Sequence, residues 1–492
     1  MTKYREDSVK KNIILSTAYQ VLTMIIPLIT APYVSRVLGA DGIGIYSYTQ
    51  SYSMYFALFA ALGTVAYGTR EIAQHRDNVQ ERSQLFWEIA CLSFVTSLIC
   101  IALWGVWIAF NTKYKFYYLV WTFSLLGTMF DISWFYAGLE KFRYTLAQNS
   151  LFKVLGTIAI FVFVKEKGDL WIYILILSLT VFLASISMWI YLPRFITRVP
   201  IKGIRLKHHF KETLVYFIPT IAISIYTILD KTLIGLITHD TSENGNYEQA
   251  TKIINMAKML SFAGVNMVLQ SRISYLFTGD NKNEIKDRIN ASMEYILFMG
   301  IALTFGIIGV SGKFVPWFFG EGYDKTIILL KLMAPLTVII GVSNCLGSQY
   351  YTPAGLRAKS SKYIVAGSII NLICNLMLIP LFKSEGAVMA TLLAETSITV
   401  LYMANNNGFY SGKQLGMQLW KKLIAGLLMC AVVLVIDAHI NKLFLGLVVE
   451  IAAGAFIYIV ALIAMKDSFA YSMMIPAITS TLKKKDNKKI KE

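Results

Sequence analysis

GIGIYSYTQS (residues 42–51) and NGNYEQATKI (residues 244–253) share a Gly-x-Tyr spacing at an offset of 201, pairing Gly44 and Tyr46 with Gly245 and Tyr247. Each follows a proline-containing apolar segment, IIPLITAPY in one case and YFIPTIAISIY in the other. Each leads into a helix that ends in an arginine, Arg70 or Arg272, and then into a short polar loop ending RDN or GDN. The parts recur in order, so the chain reads as two copies of one unit. What that unit is depends on the solvent its helices face.

Of the 492 residues, 56% are hydrophobic and only 15% are charged, against roughly 25% charged in an ordinary globular domain. So thin a polar shell cannot coat a soluble core of this size, and the chain reads as an integral membrane protein. A spanning helix needs about 20 mostly apolar residues. Fourteen segments qualify: 12–37, 44–69, 84–110, 116–139, 147–164, 170–192, 212–237, 247–277, 289–312, 326–350, 363–381, 386–404, 423–437 and 443–465. The thirteenth is short unless it extends at either end. The first contains Pro27 and Pro32 and lacks a small-residue cleavage site, so it reads as a retained helix and not a signal peptide. Cys91, Cys100, Cys345, Cys374 and Cys430 fall in apolar runs without paired spacing and read as small hydrophobes. The five histidines fall in or next to expected loops, so no metal constellation arises.

The basic residues orient the spans. With the N-terminus cytoplasmic, inside segments carry 31 Lys and Arg and outside segments 9, a strong positive-inside bias. The N-terminus, the 193–211 linker and the C-terminus are thus expected on the cytoplasmic side. The net charge of +17 then meets anionic lipid at that face and is not a nucleic-acid signal. Six spans per copy is an even number, so both copies keep one orientation, related by a pseudo-twofold along the membrane normal. The expected organisation is a six-helix lobe over 1–205, a second over 206–410, helices 13 and 14 over 411–466, and a basic cytoplasmic tail over 467–492.

Three further stretches bear on family. APYVSRVLGADGIGIYS with YGTREIA, WFYAGLEKFRY (134–144) and NLICNLMLIPLFKSEGAVMATLLAE (371–395) together resemble the prokaryotic polysaccharide exporters of the multidrug/oligosaccharidyl-lipid/polysaccharide superfamily. The resemblance covers nearly the whole chain. It implies an all-α, 14-helix flippase of the bacterial cytoplasmic membrane. That flippase would move undecaprenyl-diphosphate-linked oligosaccharide outward for capsule, O-antigen or teichoic-acid-like polymers. Polysaccharide polymerase and glycosyltransferase partners would accompany it. The same fold includes ion-coupled multidrug and small-molecule exporters, which is the alternative function.

Charges inside the spans select among substrates. Lys153, Lys231, Lys252, Lys258, Arg272 and Lys331 lie within them, and Arg36 ends the first. Each charge costs roughly 2.5–3.5 kcal/mol at mid-helix on the insertion scale. Lys258, about eleven residues into its span, has no cheap route to either interface. In the resembling family the helices carrying Arg36, Arg70, Lys231, Lys252, Lys258 and Arg272 line the cleft between lobes. There ammonium and guanidinium groups would attract a diphosphate. Tyr33, Tyr46, Tyr226 and Tyr247 offer either amphipathic surface to sugar faces or ordinary packing.

Asp230, beside Lys231, is one of only two charges between residues 214 and 237, and the two side chains point about 100° apart around the helix. Three readings stay open for it: a group balancing nearby cations, a structural ion-pair partner, or a site for a coupling proton or sodium ion. Asp131, Glu294, Glu395 and Glu450 compete for the coupling role, with helix packing as the plainer reading of Asp131 and Glu395. The membrane potential is a further drive. Glu248 and Lys252, at i,i+4, can neutralise each other. No Asp-x-Asp, Gly-rich phosphate loop, Walker-type motif or nucleophile–base pair occurs, and the longest loop is about 19 residues, so no enzyme is expected. A drug antiporter should have an acid-dominated cavity, whereas these helices are base-dominated.

Overall fold

A computed structural model describes residues 2–199, 205–277, 279 and 282–471. Helices account for almost all of them, and no strand occurs among the described residues. Nine of the described helices are long and apolar enough to cross a membrane. All 14 expected spans fall on helix, so the chain is an all-α polytopic membrane protein.

Packing separates two units, Met1–Gly245 and Asn246–Glu492. The first holds α1 (Thr2–Ala61), α2 (Thr64–Gln74), α3 (Val79–Phe110), α4 (Lys115–Met129), α5 (Ser133–Gly138), α6 (Phe142–Phe163), α7 (Leu170–Met188) and α8 (Leu206–Thr238). α1 carries the first two spans and breaks at Gly39, where φ is +69°. Glycine takes that left-handed conformation without a Cβ penalty. The fourth span is likewise divided into α4 and α5. There the Asp131 carboxylate accepts from the Ser133 amide at 2.8 Å. α7 packs against α4 and α6, while α8 lies along α1, α2 and α3. The packing boundary therefore falls one helix later than residue 205, where the repeat places it.

Aromatic residues fill this unit in two clusters. Tyr46, Tyr52, Trp104, Tyr118, Trp121 and Tyr173 form one; Tyr67, Phe86, Trp134, Phe135 and Tyr136 form the other. The repeated Gly-x-Tyr element has a direct structural expression. A Cβ on Gly44 would strike the Thr241 carbonyl, and a Cβ on Gly245 would strike the Ala40 carbonyl. Replacing each member of the first contact by its counterpart 201 positions away, 44 by 245 and 241 by 40, produces the second, so the two segments meet in a locally symmetric backbone crossing that only glycine allows.

The second unit holds most of α9 (Thr241–Lys258), then α10 (Gly264–Leu276), α11 (Lys282–Phe319), α12 (Asp324–Met333), α13 (Leu336–Leu346), α14 (Arg357–Ala404), α15 (Gly412–His439) and α16 (Leu443–Ala464). A π-helical turn, Met259–Ala263, joins α9 to α10, and another, Gly347–Tyr351, extends α13. α14 carries two spans and breaks at Lys383, with φ +51° three residues after Pro380. The thirteenth span gains its missing length by extending to Gly412, where Ser411 and Gln414 form a capping box. α15 and α16 pack on each other and on α11. The tail beyond Tyr471 and linker residues 200–204 lie outside the described residues, as do the side chains of Pro219 and Tyr226.

Candidate functional site

Several lysines at the ends of the expected spans are neutralised by carboxylates. Lys313 on α11 is 8% exposed and pairs with the fully buried Glu450 of α16 and, at 2.7 Å, with Asp437 of α15. Lys422 is fully buried against Asp467 at 2.8 Å, and Lys325 meets Glu385 at 2.9 Å. These are structural lysines. Glu450 is thereby tied to α11. Lys252 pairs with Glu248 one turn away at 3.5 Å, as the i,i+4 spacing predicts.

Lys258 is different. It ends α9, halfway along the helical rod from Thr241 to Leu276, directly before the π turn. Its Nζ donates to the neutral Asn255 Oδ1 at 3.4 Å, and it forms no ion pair among the described residues. Glu395 on α14 acts on it only through longer-range charge. Arg272, on α10, is exposed. π turns recur at functional sites because they re-aim side chains.

In the first unit Arg36 is exposed on α1 just before the Gly39 break. Arg70 on α2 is about half exposed, donates to the Tyr216 hydroxyl at 2.8 Å and lies 3.9 Å from Glu71. On α8, Lys231 is half-buried and Asp230 is buried. Two residues on, Thr232 Oγ1 lies 3.0 Å from Ser51 Oγ and 3.1 Å from the Tyr55 hydroxyl, so this stretch of α8 meets α1 through polar groups. Asp131 accepts from the Ser133 amide at the start of α5 and lines a pocket of about 260 Å³ with Lys153. Tyr46 and Tyr247 are buried core residues, and Tyr33 donates to the Val164 carbonyl at 2.6 Å.

Sequence reading passed over one further cluster. Tyr67, Glu88 and His209 are each 1% exposed. The Tyr67 hydroxyl is 2.7 Å from His209 Nδ1, and His209 Nε2 is 2.6 Å from Glu88 Oε2. Gln84 donates to the other Glu88 oxygen at 3.2 Å, and Arg205 lies 3.8 Å away. The chain of contacts ties the start of α8 to α2 and α3. His209 was counted with the linker because Lys207, His208 and Lys211 surround it, and the helix starts earlier than hydropathy suggests.

With this geometry in hand, comparison with known proteins is decisive on family. A family model described as polysaccharide biosynthesis protein matches residues 9–277. The chain belongs to that family. Within the polysaccharide biosynthesis proteins it is similar to a putative O-antigen transporter of Escherichia coli K12, 26% identical over 81% of this chain and 97% of the relative. It also resembles a probable low-salt glycan biosynthesis flippase, Agl15, of Haloferax volcanii, 27% identical over 45% of this chain and 48% of the relative. A solved structure of the lipid II flippase MurJ, in an inward closed conformation, shares the fold. Its TM-score is 0.74 at 15% identity, covering 92% of this chain and 99% of that one.

Proposed function

We propose that the chain is a flippase that carries undecaprenyl-diphosphate-linked oligosaccharide repeat units from the inner to the outer face of the bacterial cytoplasmic membrane by alternating access. Lys258 carries this reading. Lys313, Lys325 and Lys422 are each neutralised by a carboxylate within about 3 Å. Lys258, halfway along its helical rod, has a neutral carboxamide as its hydrogen-bond partner and no ion pair among the described residues, an arrangement that suits an incoming anion. A lipid-linked diphosphate is an anion of the kind that such a lysine would bind. Arg36, Arg70, Lys231, Lys252 and Arg272 are assigned as further contacts along its path.

The two-lobe organisation, with boundaries near 205, 410 and 466, belongs to the same proposal and is supported by the locally symmetric crossing of Gly44 and Gly245. So does the orientation with the N-terminus, linker and tail cytoplasmic. The drive is a proton, a sodium ion or the membrane potential. The burial of Asp230 next to a hydroxyl cluster favours it as the coupling acid over Asp131, whose carboxylate is engaged by the Ser133 amide; Glu395 is assigned to balancing Lys258. Polymerase and glycosyltransferase partners would sit downstream and upstream of the carrier.

Native mass spectrometry of the purified chain tests the substrate class. Undecaprenyl-diphosphate-linked oligosaccharide and undecaprenyl diphosphate should both be retained, neutral undecaprenol should not, and Lys258→Met should weaken retention of the first two. Equal retention of undecaprenol would contradict the proposal.

A further inference from the structure

At one end of the first unit, the carboxyl end of α3, the turn after α8 and the first turn of α9 enclose a pocket of about 110 Å³, several times the room that one water needs. In the proposed orientation this end faces outward. Tyr48 and Tyr114 form aromatic walls with ring centroids 5.9 Å apart, and Lys113 Nζ stands 5.1 Å over the Tyr114 ring. Asn111 and Asp240 add polar groups to the lining.

Asn244 also lines the pocket. It is 1% exposed, and neither its Oδ1 nor its Nδ2 has a hydrogen-bond partner among the described residues. Burying a carboxamide with both ends unsatisfied is expensive. Its position is nevertheless built: a Cβ on Gly235 would strike both the Tyr48 ring and Asn244 Nδ2, so glycine at 235 is what lets ring and amide meet. Unsatisfied groups continue beneath. Tyr48 hydrogen-bonds to Tyr52 at 3.1 Å, and Tyr52 stacks on Trp107 at 4.8 Å and meets Tyr118 edge-on. The Trp107 Nε1 and Tyr118 hydroxyl are buried without partners among the described residues.

The chemistry narrows the ligand. A single lysine opposed by Asp240 is a poor phosphate site, and the amides and charges exclude a lipid tail. One carboxylate is too few for a hard cation. An aromatic wall beside a carboxamide that offers one acceptor and two donors suits the apolar face and adjacent hydroxyls of a sugar ring. We propose that this pocket is a saccharide site that holds one pyranose of the repeat unit at the outer face. The site's biological sense rests on the flippase reading, but its ligand chemistry does not.

Saturation-transfer NMR on the full chain in nanodiscs would test it, with free glucose, galactose, mannose, rhamnose, N-acetylglucosamine, N-acetylgalactosamine and glucuronic acid as probes. At least one sugar should receive saturation. Asn244→Leu and Gly235→Ala should each weaken its binding roughly tenfold or more, and Tyr114→Ala at the rim should do so without touching the buried floor. Binding that depends on Asn244 or Tyr114 sustains the site even if reconstituted vesicles flip no lipid-linked oligosaccharide. Absence of transfer to every sugar, or transfer unchanged in folded Tyr114→Ala and Asn244→Leu, overturns it even where flipping is intact.

Discussion

Replacing Lys258 with methionine keeps the length of the side chain and removes its charge, and it should move stability and function in opposite directions. A charge at mid-helix costs roughly 2.5–3.5 kcal/mol on the insertion scale. Lys258 is only half-buried and recovers part of that through Asn255 at 3.4 Å, so its removal should stabilise the fold by about 1–3 kcal/mol. A charge-assisted hydrogen bond to phosphate is worth about 1.5–3 kcal/mol, so affinity for a diphosphate lipid should fall roughly 10- to 150-fold. Lys258→Arg should retain part of the binding, since charge survives while geometry changes. Lys313→Met is the control: it leaves the fully buried Glu450 unpaired and should cost about 3–5 kcal/mol. Thermal unfolding in detergent, read beside lipid retention by native mass spectrometry, separates the two. A lower unfolding midpoint for Lys258→Met with lipid binding intact would refute the reasoning and make Lys258 a structural tie.

Glu88→Leu should destabilise the chain by about 3 kcal/mol by stranding the buried His209, with faster hydrogen exchange at the start of α8, and Glu88→Leu with His209→Leu should recover part of the loss in a double-mutant cycle. Gly44→Ala and Gly245→Ala should each lower the yield of folded protein, because each Cβ meets a backbone carbonyl, whereas Gly105→Ala, with nothing within 4 Å, should be silent; size-exclusion yield reads both. In a chain cleared of its five cysteines, Thr112→Cys should react with an impermeant maleimide from outside intact cells and Asp77→Cys only after permeabilisation.

Each crossing was legible because lipid demands apolar side chains from every helix that touches it, a signal written locally along the chain. The breaks were less so. Gly39 and Lys383 lie in sequence that hydropathy treats as loop, and nothing in MLSFA (259–263) announces a π turn. Lys258 could be singled out because its distance from either helix end is a count along the sequence. Its neutral neighbour Asn255, at i−3, was visible too but acquires meaning only when no carboxylate stands within ion-pair distance among the described residues. The pairings were illegible: Glu88 and His209 are 121 residues apart and Lys313 and Glu450 are 137 apart. His208 is exposed while the adjacent His209 is buried, a difference set by which helix face meets α3. Asn244 and Gly235 became a site only once Tyr48 and Tyr114 were placed beside them.

The central claim, that this chain moves a diphosphate-linked oligosaccharide across the membrane by way of an un-neutralised lysine, is tested most directly by flipping in proteoliposomes. Fluorescent undecaprenyl-diphosphate-linked oligosaccharide is loaded in the inner leaflet, and its arrival outside is followed with a membrane-impermeant quencher. Wild-type vesicles should expose the label far faster than protein-free vesicles, and Lys258→Met vesicles, containing the same amount of folded protein, should not. Transfer by Lys258→Met at the wild-type rate, or none by the wild type with or without an ion gradient and membrane potential, would contradict the account.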